Sequence, residues 1–527
     1  MTRKEFLLSL PAAALASRAL GAEETPKADA AAASAEAESA VPATTAAAKT
    51  PPVPALKLPP IQPGPPYLLA GPMLGHVSHE EARLWIRATK AVAWKVVIAE
   101  AGSPEQTREI VGSALNVDTE CTGIAKIEGL KAATRYVYQV VLDGRDQLAR
   151  PLPEFTTAPS EAHRMRVAFG SCVGDSIAAA SPAWAELSER RELKPEDGGF
   201  ELLLMLGDNH YANSTETEKL RTYYTVHRLS AGWRELSARV PVYAIWDDHD
   251  YGPNDSDGTQ KGKENSLRIF QEYWANPGCG EPENPGCYFT FVRGDVQFFM
   301  LDGRYHRTPN KAPAAPDKTM FGAKQIEWLK RELAASKVRV KLLANGSEWE
   351  SFGSEDSYKS FLPERDALFK WIDEQKIEGV IFLSGDRHFS SGYHIKGRFL
   401  ELSSGPFGSK NATLRPNPER FTGHDEGRLW FILDIDTTQP DPAIAYELWQ
   451  AGGGRLERRS VTWDQVHGRE KIALAKFPLK ADRIQAKPEK NMPPGGYPPT
   501  PKSPDPAPSA EPASKPNAQK TGATEPS

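Results

Sequence analysis

The stretch LLLMLGDNHY at residues 202–211 decides the fold, because a short apolar run ends at Gly207 and an aspartate follows at once. A continuous apolar run of this length is typical of a strand buried on both faces. The same order recurs in VYAIWDDHD at residues 242–250 and in VIFLSGDRH at residues 380–388. Loops at the carboxyl ends of parallel strands meet at one edge of a sheet, so we expect these side chains to form one site. Their carboxylate and histidine groups predict a metal site.

Further apolar runs alternate with segments of helical pattern. Residues 324–333 place Ile326, Leu329 and Leu333 on one helical face, and residues 367–372 predict another helix. This alternation predicts a layered α/β domain whose strand-end loops carry the function, and we assign it to residues 160–486. The predicted strands are residues 167–169, 202–206, 242–245, 296–301, 340–343 and 380–383.

A different pattern precedes this domain. Residues 66–159 contain short strand-like runs, for example at residues 82–87, 94–99 and 135–141. Their spacing predicts a small antiparallel β-sandwich. The phrase LKAATRY at residues 130–136 resembles the turn into a late strand of fibronectin type III domains, with Tyr136 as the corner tyrosine. No catalytic residue types collect in this segment, so we expect the chemistry to lie in the α/β domain.

The first 22 residues have the pattern of an export signal peptide. Arg3 and Lys4 are followed by a largely apolar run and by the small residues Gly21 and Ala22. The run is too short to span a bilayer and contains a proline and an arginine, so we expect no membrane anchor. Arg3-Lys4 also resembles a twin-arginine motif with one lysine replacement, which leaves the export route open. The prediction is an exported protein, periplasmic or extracellular.

Composition sets the remaining limits. Residues 23–65 and 487–527 are rich in Ala, Pro and Lys and are predicted to be a disordered linker and a disordered tail. The net charge of −5 over 527 residues, without a basic tract interleaved with aromatic residues, argues against a dedicated nuclease or a nucleic-acid partner. Cys279 and Cys287 flank a short loop, and the spacing is compatible with a disulfide or with two free thiols. Nothing in the sequence indicates the oligomeric state.

Each strand-end motif has a simpler explanation when it stands alone. Asp208 would cap a helix and Tyr211 would pack, while Asp-x-His at residues 386–388 would be a surface turn. WDDHD is harder to explain in that way, because four consecutive ionisable residues after a buried strand repel one another unless a cation is present. The three motifs together therefore favour metal ligands, with His249 as a candidate acid or stabiliser of charge. Arg387 suits a phosphate or a neighbouring carboxylate equally well.

The first strand of the domain ends in FGSC at residues 169–172. Cys172 has three interpretations: an inert core residue, a nucleophile or a soft metal ligand. Beside three strand ends rich in carboxylates, the third interpretation gains weight. A thiolate together with the phenol of Tyr211 suits a transition metal better than magnesium.

These motifs, in this order, resemble the alkaline phosphatase D (PhoD-like) family of calcineurin-like metallophosphoesterases. Ser171-Cys172 stands where the wider superfamily has Asp-x-His, and Gly-Asp-x-x-Tyr matches residues 207–211. WDDHD and SGDRH match the third and last motifs, and LDGRY at residues 301–305 resembles another family segment. The resemblance covers residues 66–480 and implies an α/β metallophosphoesterase domain preceded by a fibronectin III-like sandwich.

The resemblance also implies the chemistry. It implies hydrolysis of a phosphomonoester or phosphodiester by a metal-activated hydroxide, with Fe³⁺ and Ca²⁺ as cofactors and with His249 and Arg387 as catalytic residues. An alternative is a noncatalytic surface protein built on the same fold. The complete set of motif residues argues against that alternative, because a decayed enzyme loses ligands. The implied metal ligands are Cys172, Asp208, Tyr211, Asp248, Asn254, Asp386 and His388.

Overall fold

The structure, a computed structural model, describes residues 56–473 except residues 192, 195–196 and 351–353. The predicted signal peptide and the predicted tail lie outside the described residues, as do residues 23–55 of the linker and residues 474–486 of the α/β domain. All described residues belong to one compact unit. Within them, no helix is both long enough and apolar enough to cross a bilayer.

The N-terminal segment is all β. Its strands pair antiparallel, in the orders β1-β2-β5 and β4-β3-β6-β7, and β8 joins β6. In β3, Trp94, Val96 and Ile98 are buried and alternate with partly exposed residues, as expected for a strand with one face on a core. The eight strands are β1 (Leu68–Val77), β2 (Glu81–Ala88), β3 (Trp94–Glu100), β4 (Arg108–Val111), β5 (Thr122–Glu128), β6 (Arg135–Leu142), β7 (Arg145–Asp146) and β8 (Glu154–Thr156).

The first sheet of the α/β region has six strands in the order β11-β10-β9-β19-β20-β21. Strands β9, β10 and β11 run parallel, and the remaining three continue the sheet antiparallel. The elements that build this half are β9 (Arg164–Gly170), α1 (Ile177–Arg190), β10 (Leu202–Leu206), α2 (Thr217–His227), α3 (Ala231–Ser237), β11 (Val242–Ile245), α4 (Asp248–Tyr251) and α5 (Lys263–Tyr273), with β19 (Leu429–Asp436), β20 (Ala443–Gln450), β21 (Gly454–Val461) and α8 (Trp463–Val466) from the end of the chain.

The second sheet has seven strands in the order β12-β13-β14-β15-β17-β16-β18, with β13, β14, β15 and β17 parallel. Its two helices, Ala323–Ala335 and Leu362–Glu374, are longer than the helices predicted at residues 324–333 and 367–372. The prediction rested on the apolar residues of each helix, and these end before the helix caps. The elements are β12 (Phe289–Arg293), β13 (Val296–Met300), α6 (Ala323–Ala335), β14 (Val340–Ala344), α7 (Leu362–Glu374), β15 (Val380–Ser384), β16 (Ser390–Ile395), β17 (Phe399–Ser403) and β18 (Arg420–His424).

Successive residues in the strands of the second sheet face opposite sides of that sheet and so contact different layers of the domain. Phe298 and Leu342 face a core shared with the first sheet, whereas Phe299 and Leu343 pack with residues of α6 and α7. The first sheet in turn packs with α1 and α3. The inner strands of both sheets are therefore covered on both faces, which is why they read as continuous apolar runs, whereas the edge strand β21 is largely exposed or half-buried. The prediction of a layered α/β domain is confirmed.

The N-terminal β segment packs directly on the α/β region. Trp85 of β2 is fully buried in the core of the α/β region, and its Nε1–H donates to the carbonyl of Glu272 at 2.8 Å. Arg87 pairs with Glu120 at 2.7 Å and donates to Thr225. The contacts of Trp85 with Glu272 and of Arg87 with Thr225 join the two parts of the chain through buried groups.

Candidate metal centre

The predicted ligands lie at the carboxyl ends of parallel strands from both sheets. Cys172 follows β9, Asp208 follows β10 and Asp248 follows β11 in the first sheet, while Asp386 and His388 follow β15 in the second. Because the two sheets share a core, these two strand edges come together above it. The site therefore joins residues up to 216 positions apart in the chain. The backbone N–H of Asp386, for example, donates to Ser171 Oγ at 3.2 Å.

The backbone at these strand ends is unusual. Cys172, Asp208, Asp386 and His388 have φ angles of 60°, 52°, 71° and 55°. Residues other than glycine rarely adopt this left-handed region, and such residues cluster at functional sites. Four of the predicted ligands thus share a conformation that turns the chain sharply as it leaves each strand.

Two glycines allow the loops to approach closely. A Cβ on Gly207, whose φ is +90°, would lie 2.5 Å from the Cβ of Asp247. A Cβ on Gly385 would lie 2.5 Å from Ser171 Oγ. Both distances are shorter than any van der Waals contact allows, so any larger residue at either position would push the ligand loops apart.

One group of side chains surrounds the Oδ2 atom of Asp208. The Tyr211 hydroxyl donates to this atom at 3.0 Å, and the Sγ of Cys172 lies 3.4 Å from it. The same hydroxyl lies 2.9 Å from Nε2 of His388. One ligand-type atom each from Cys172, Asp208 and His388 lies within 4.8 Å of the others. These four residues could hold one ion.

A second group contains a residue that the sequence analysis did not select. Asp247, Asp248 and Asp386 bring carboxylate oxygens within 4.8 Å of one another. Asp247 Oδ1 accepts from Arg304 Nε, whereas its buried Oδ2 has no hydrogen-bond partner among the described residues. The signal for Asp247 was present in WDDHD, but the two adjacent aspartates could not be distinguished without the fold.

Arg304 is the other residue that the sequence analysis passed over. It is fully buried, and it donates to both oxygens of Asp356 as well as to Asp247. Ser347 Oγ accepts from Arg304 at 3.1 Å and donates to Asp247 Oδ1 at 3.3 Å. This network holds Oδ1 of Asp247, whereas Oδ2 of Asp247 lies outside the network. LDGRY contains this arginine, although nothing in that motif identifies its partner.

His249 lies at the edge of both groups. Its ring stacks on Tyr211 with centroids 4.1 Å apart, and its backbone N–H donates to Asp248 Oδ1 at 3.0 Å. Its Nδ1 contacts Asn213 Oδ1, which makes Nδ1 the protonated nitrogen and leaves Nε2 available. Asp208, Asp248 and His249 also place ligand atoms within 4.8 Å of one another. His249 can therefore act on a substrate or bind an ion.

The remaining predicted residues are Asn254 and Arg387. Asn254 is exposed, and the next residue, Asp255, donates its N–H to Asp248 Oδ2 at 2.7 Å. Arg387 lines a cavity of about 550 Å³ together with Asp255, Ser354 and Asp356. The structure thus places Asn254 on the loop that touches the carboxylates, and Arg387 at the wall of a neighbouring cavity.

The electrostatics of the site indicate that the protein alone does not keep these groups ionised. Burial raises the pKa of Asp208 and of Cys172 well above their usual values, and the neighbouring carboxylates raise both further. Burial likewise raises the pKa of Asp386, and burial and then Asp208 raise the pKa of Tyr211. A bound cation reverses this cost by favouring the charged forms. The donor set and the unpaired oxygen of Asp247 therefore fit metal ions.

All four cysteines are free thiols. Cys279 donates to the carbonyl of Gly286 at 3.2 Å, so the structure shows no disulfide between Cys279 and Cys287. Of the two possibilities that the spacing allowed, the structure has two free thiols.

Comparison with known proteins agrees with the geometry. The family model described as "PhoD-like phosphatase" matches residues 157–424, and one described as "Domain of unknown function (DUF7800)" matches residues 65–162. Among curated proteins, "Alkaline phosphatase D" of Bacillus subtilis (strain 168) is 26% identical over 251 residues, which is 41% of this chain and 43% of that protein. The matched region thus spans less than half of that relative.

Two solved structures share the fold. "Structure of PhoD" superposes with a TM-score of 0.61 at 17% identity and covers 77% of this chain and 94% of that one. Purple acid phosphatase PPD1 from yellow lupin seeds superposes with a TM-score of 0.56 at 12% identity, covering 75% of this chain and 74% of the other. The same layered architecture therefore occurs in both.

Proposed function

Since the chain belongs to the PhoD-like phosphatase family, we propose that it is a metal-dependent phosphoester hydrolase. The observation that carries this proposal is the convergence of Cys172, Asp208, Tyr211 and His388, whose ligand atoms crowd around one point. A thiolate and a phenolate together suit a ferric ion, and the oxygen-rich group beside them suits calcium. The proposed ligands of these Fe³⁺ and Ca²⁺ ions are Cys172, Asp208, Tyr211, Asp248, Asn254, Asp386 and His388, to which we add Asp247.

The side chains around the ions have distinct tasks. When bound, the ions supply an activated water and withdraw charge from the phosphate oxygens. His249, held by Asn213 through Nδ1, presents Nε2 for a proton to the leaving oxygen or for the charge that develops there. Arg387 binds a nonbridging oxygen with its planar fork. Both residues therefore act on the substrate rather than on the metals.

The substrate is a phosphomonoester, a phosphodiester or both. The cavity of about 550 Å³ beside Arg387 is large enough for a leaving group of considerable size. Its wall carries Asp255, Asp257, Glu355 and Lys311, so both signs of charge face the leaving group. Hydrolysis of either ester breaks a P–O bond by attack of a water oxygen on phosphorus.

We also propose that the protein is exported, to the periplasm or beyond the cell, through the signal peptide at residues 1–22. Residues 66–159 then form a fibronectin III-like domain and residues 160–486 the catalytic domain. The Lys131 N–H donates to the Tyr136 hydroxyl at 2.9 Å, a contact to nearby upstream backbone that supports the corner-tyrosine assignment.

The test is hydrolysis of p-nitrophenyl phosphate and bis-p-nitrophenyl phosphate by the purified protein. We expect turnover of at least one ester, loss of that turnover on chelation and its return when iron and calcium are restored. Asp208→Asn keeps the size of the side chain and removes its charge, so it should abolish turnover. No hydrolysis of either ester by protein that contains metal would contradict the proposal.

A further inference from the structure

Arg387 stands at the boundary between the ligand groups and the neighbouring cavity. It lies three residues beyond the end of β15, between Asp386 and His388, and about 28% of its side chain is exposed. Its Nη1 donates to Ser354 Oγ at 3.1 Å across the cavity wall. A long flexible side chain in such a position loses conformational freedom when it binds a phosphate, unless the protein already holds it.

A buried carboxylate lies behind this arginine. Glu348 is fully buried, and its Oε2 lies 3.5 Å from Arg387 Nε. The Tyr393 hydroxyl donates to Glu348 Oε1 at 3.3 Å. A buried carboxylate is costly unless it is paired, and here the pairing falls on the Nε edge of the guanidinium. Nη1 of the same guanidinium, which donates to Ser354 Oγ, lies 3.7 Å from Oδ2 of Asp386, a proposed metal ligand.

The backbone that carries Glu348 is anchored to the strands beside Arg387. Glu401 of β17 is fully buried and accepts hydrogen bonds from the N–H groups of Trp349 at 2.9 Å and Glu350 at 2.8 Å. It also accepts from Ser384 Oγ at 2.6 Å, at the end of the strand that leads into Arg387. Trp349 Nε1 donates to the carbonyl of Leu383 on the same strand at 3.1 Å. Glu348 and Arg387 therefore share one rigid support.

We propose that Glu348 is a positioning residue, which holds the guanidinium of Arg387 so that its Nη groups face a phosphate bound at the metal centre. This inference rests on the proposed function and assigns a role to a residue that does not itself touch the substrate. Its ligand is the phosphate group common to monoesters, diesters and inorganic phosphate. Without Glu348, Arg387 keeps its charge but loses its orientation, so phosphate binding weakens while the metals stay bound.

The experiment is a double-mutant cycle on the full-length, metal-loaded protein. Glu348→Gln, Arg387→Ala and the double variant are compared for kcat and KM with p-nitrophenyl phosphate, for inhibition by inorganic phosphate and for metal content. We expect Glu348→Gln to raise KM and the phosphate inhibition constant about tenfold, as expected when a charge-assisted contact is misaligned. In the Arg387→Ala background the same change should have no further effect, because there is no guanidinium left to hold.

Three further variants protect the test against a folding defect. Tyr393→Phe removes only the hydroxyl that binds Glu348, and it should raise KM by a smaller factor than Glu348→Gln. Glu378→Gln makes the same change at an exposed glutamate that precedes β15, and it should leave both constants unchanged. Arg387→Lys keeps the charge without the fork and should not restore phosphate binding.

The outcomes distinguish a failure of the positioning role of Glu348 from a failure of the proposed hydrolase function. Additive effects of Glu348→Gln and Arg387→Ala, or loss of metal from Glu348→Gln, would overturn the positioning role while the hydrolase stands. Wild-type KM and phosphate inhibition in Glu348→Gln would do the same. A wild-type protein that contains metal and hydrolyses no phosphoester, yet binds inorganic phosphate with the predicted dependence on Glu348, would refute the hydrolase and keep the positioning role.

Discussion

The Sγ of Cys172 lies 3.4 Å from Oδ2 of Asp208, although the two residues end different strands. Parallel pairing of β9 with β10 brings them together, since it places Gly170 opposite Met205 near the ends of both strands. Both residues then adopt positive φ angles, so their side chains turn toward each other. Burial raises the pKa of each group, the charge of Asp208 raises the pKa of Cys172 further, and Asp248 and the other nearby aspartates raise the pKa of Asp208 further. This pair is the physical centre of the proposed metal site.

The first prediction concerns this cysteine. Cys172→Ser replaces a soft thiolate by a hard hydroxyl of similar size, so the protein should lose its iron and more than about 100-fold of its kcat/KM. Iron content by elemental analysis and hydrolysis of p-nitrophenyl phosphate measure the two effects in one sample. Cys121→Ser is the matched control, because Cys121 is a buried thiol in the β-sandwich. Full activity in an iron-free Cys172→Ser protein would remove the cysteine from the site.

The second prediction separates catalysis from metal binding at His249. His249→Ala should lower kcat about 100-fold or more, the usual contribution of a positioned acid, while the iron and calcium contents stay near wild type. Asn213→Ala removes the contact to Nδ1 and should produce a smaller loss of kcat, because the imidazole remains but is less well oriented. If His249→Ala instead emerges without metal, His249 belongs among the ligands.

Sequence reasoning located most of the side chains that come together at the candidate metal centre, for a physical reason. Ligands that follow buried strands are visible in sequence, because an apolar run and the polar residues after it are adjacent in the chain. Asp208, Asp248 and Asp386 were located in this way. The partners of these ligands were not visible, since Arg304 and Asp247 are 57 residues apart. Glu348 and Arg387 likewise meet only because β14 and β15, which precede them, are neighbours in the sheet. The exposed position of Asn254 on its loop could not be predicted either, because the spacing of residues in a motif does not show where a loop runs.

The fold was predictable to a similar extent. The apolar runs located the inner strands, but β16 to β21 were not predicted. Of these, β19 pairs with β9, a partner far earlier in the chain, whereas β16 with β17 and β20 with β21 pair as neighbours along the chain. The close packing of the N-terminal β segment on the α/β region was also missed. Trp85 and Arg87 carry that contact through Glu272 and Thr225, and in the sequence they belong to an ordinary strand.

The third prediction tests this contact. Trp85→Ala removes a fully buried ring from the shared core and should destabilise the protein by about 3–5 kcal/mol. Because the ring packs with residues of the α/β region, calorimetry should show one unfolding transition that shifts as a whole. Trp85→Phe keeps an aromatic ring but loses the bond to Glu272, so its effect should be smaller. Two transitions, of which only one moves, would show that the β-sandwich unfolds independently.

The fourth prediction concerns pH and stability. Burial, and then the charge of Arg228, lower the pKa of His227 from 6.5 to about 4. Above pH 6.5 His227 is neutral in both the folded and the unfolded protein, whereas below it only the unfolded protein takes up the proton. His227 therefore costs about 2 kcal/mol of unfolding free energy between pH 7 and pH 5.

Guanidinium unfolding at the two pH values measures this effect. His227→Gln should lose less stability than wild type on the step from pH 7 to pH 5, by about the same 2 kcal/mol. His79→Gln alters an exposed histidine and should follow the wild-type profile. An unchanged pH dependence in His227→Gln would mean that His227 titrates normally in the folded protein.

The most direct test of the whole account is elemental analysis of purified, unchelated protein, with phosphoester hydrolysis measured on the same sample. The account predicts iron and calcium in near-stoichiometric amounts, and turnover that falls in proportion when they are removed. Zinc or manganese alone would contradict the assignment of Cys172 and Tyr211 as iron ligands. Protein without metal that still hydrolyses phosphoesters would contradict the metal centre itself.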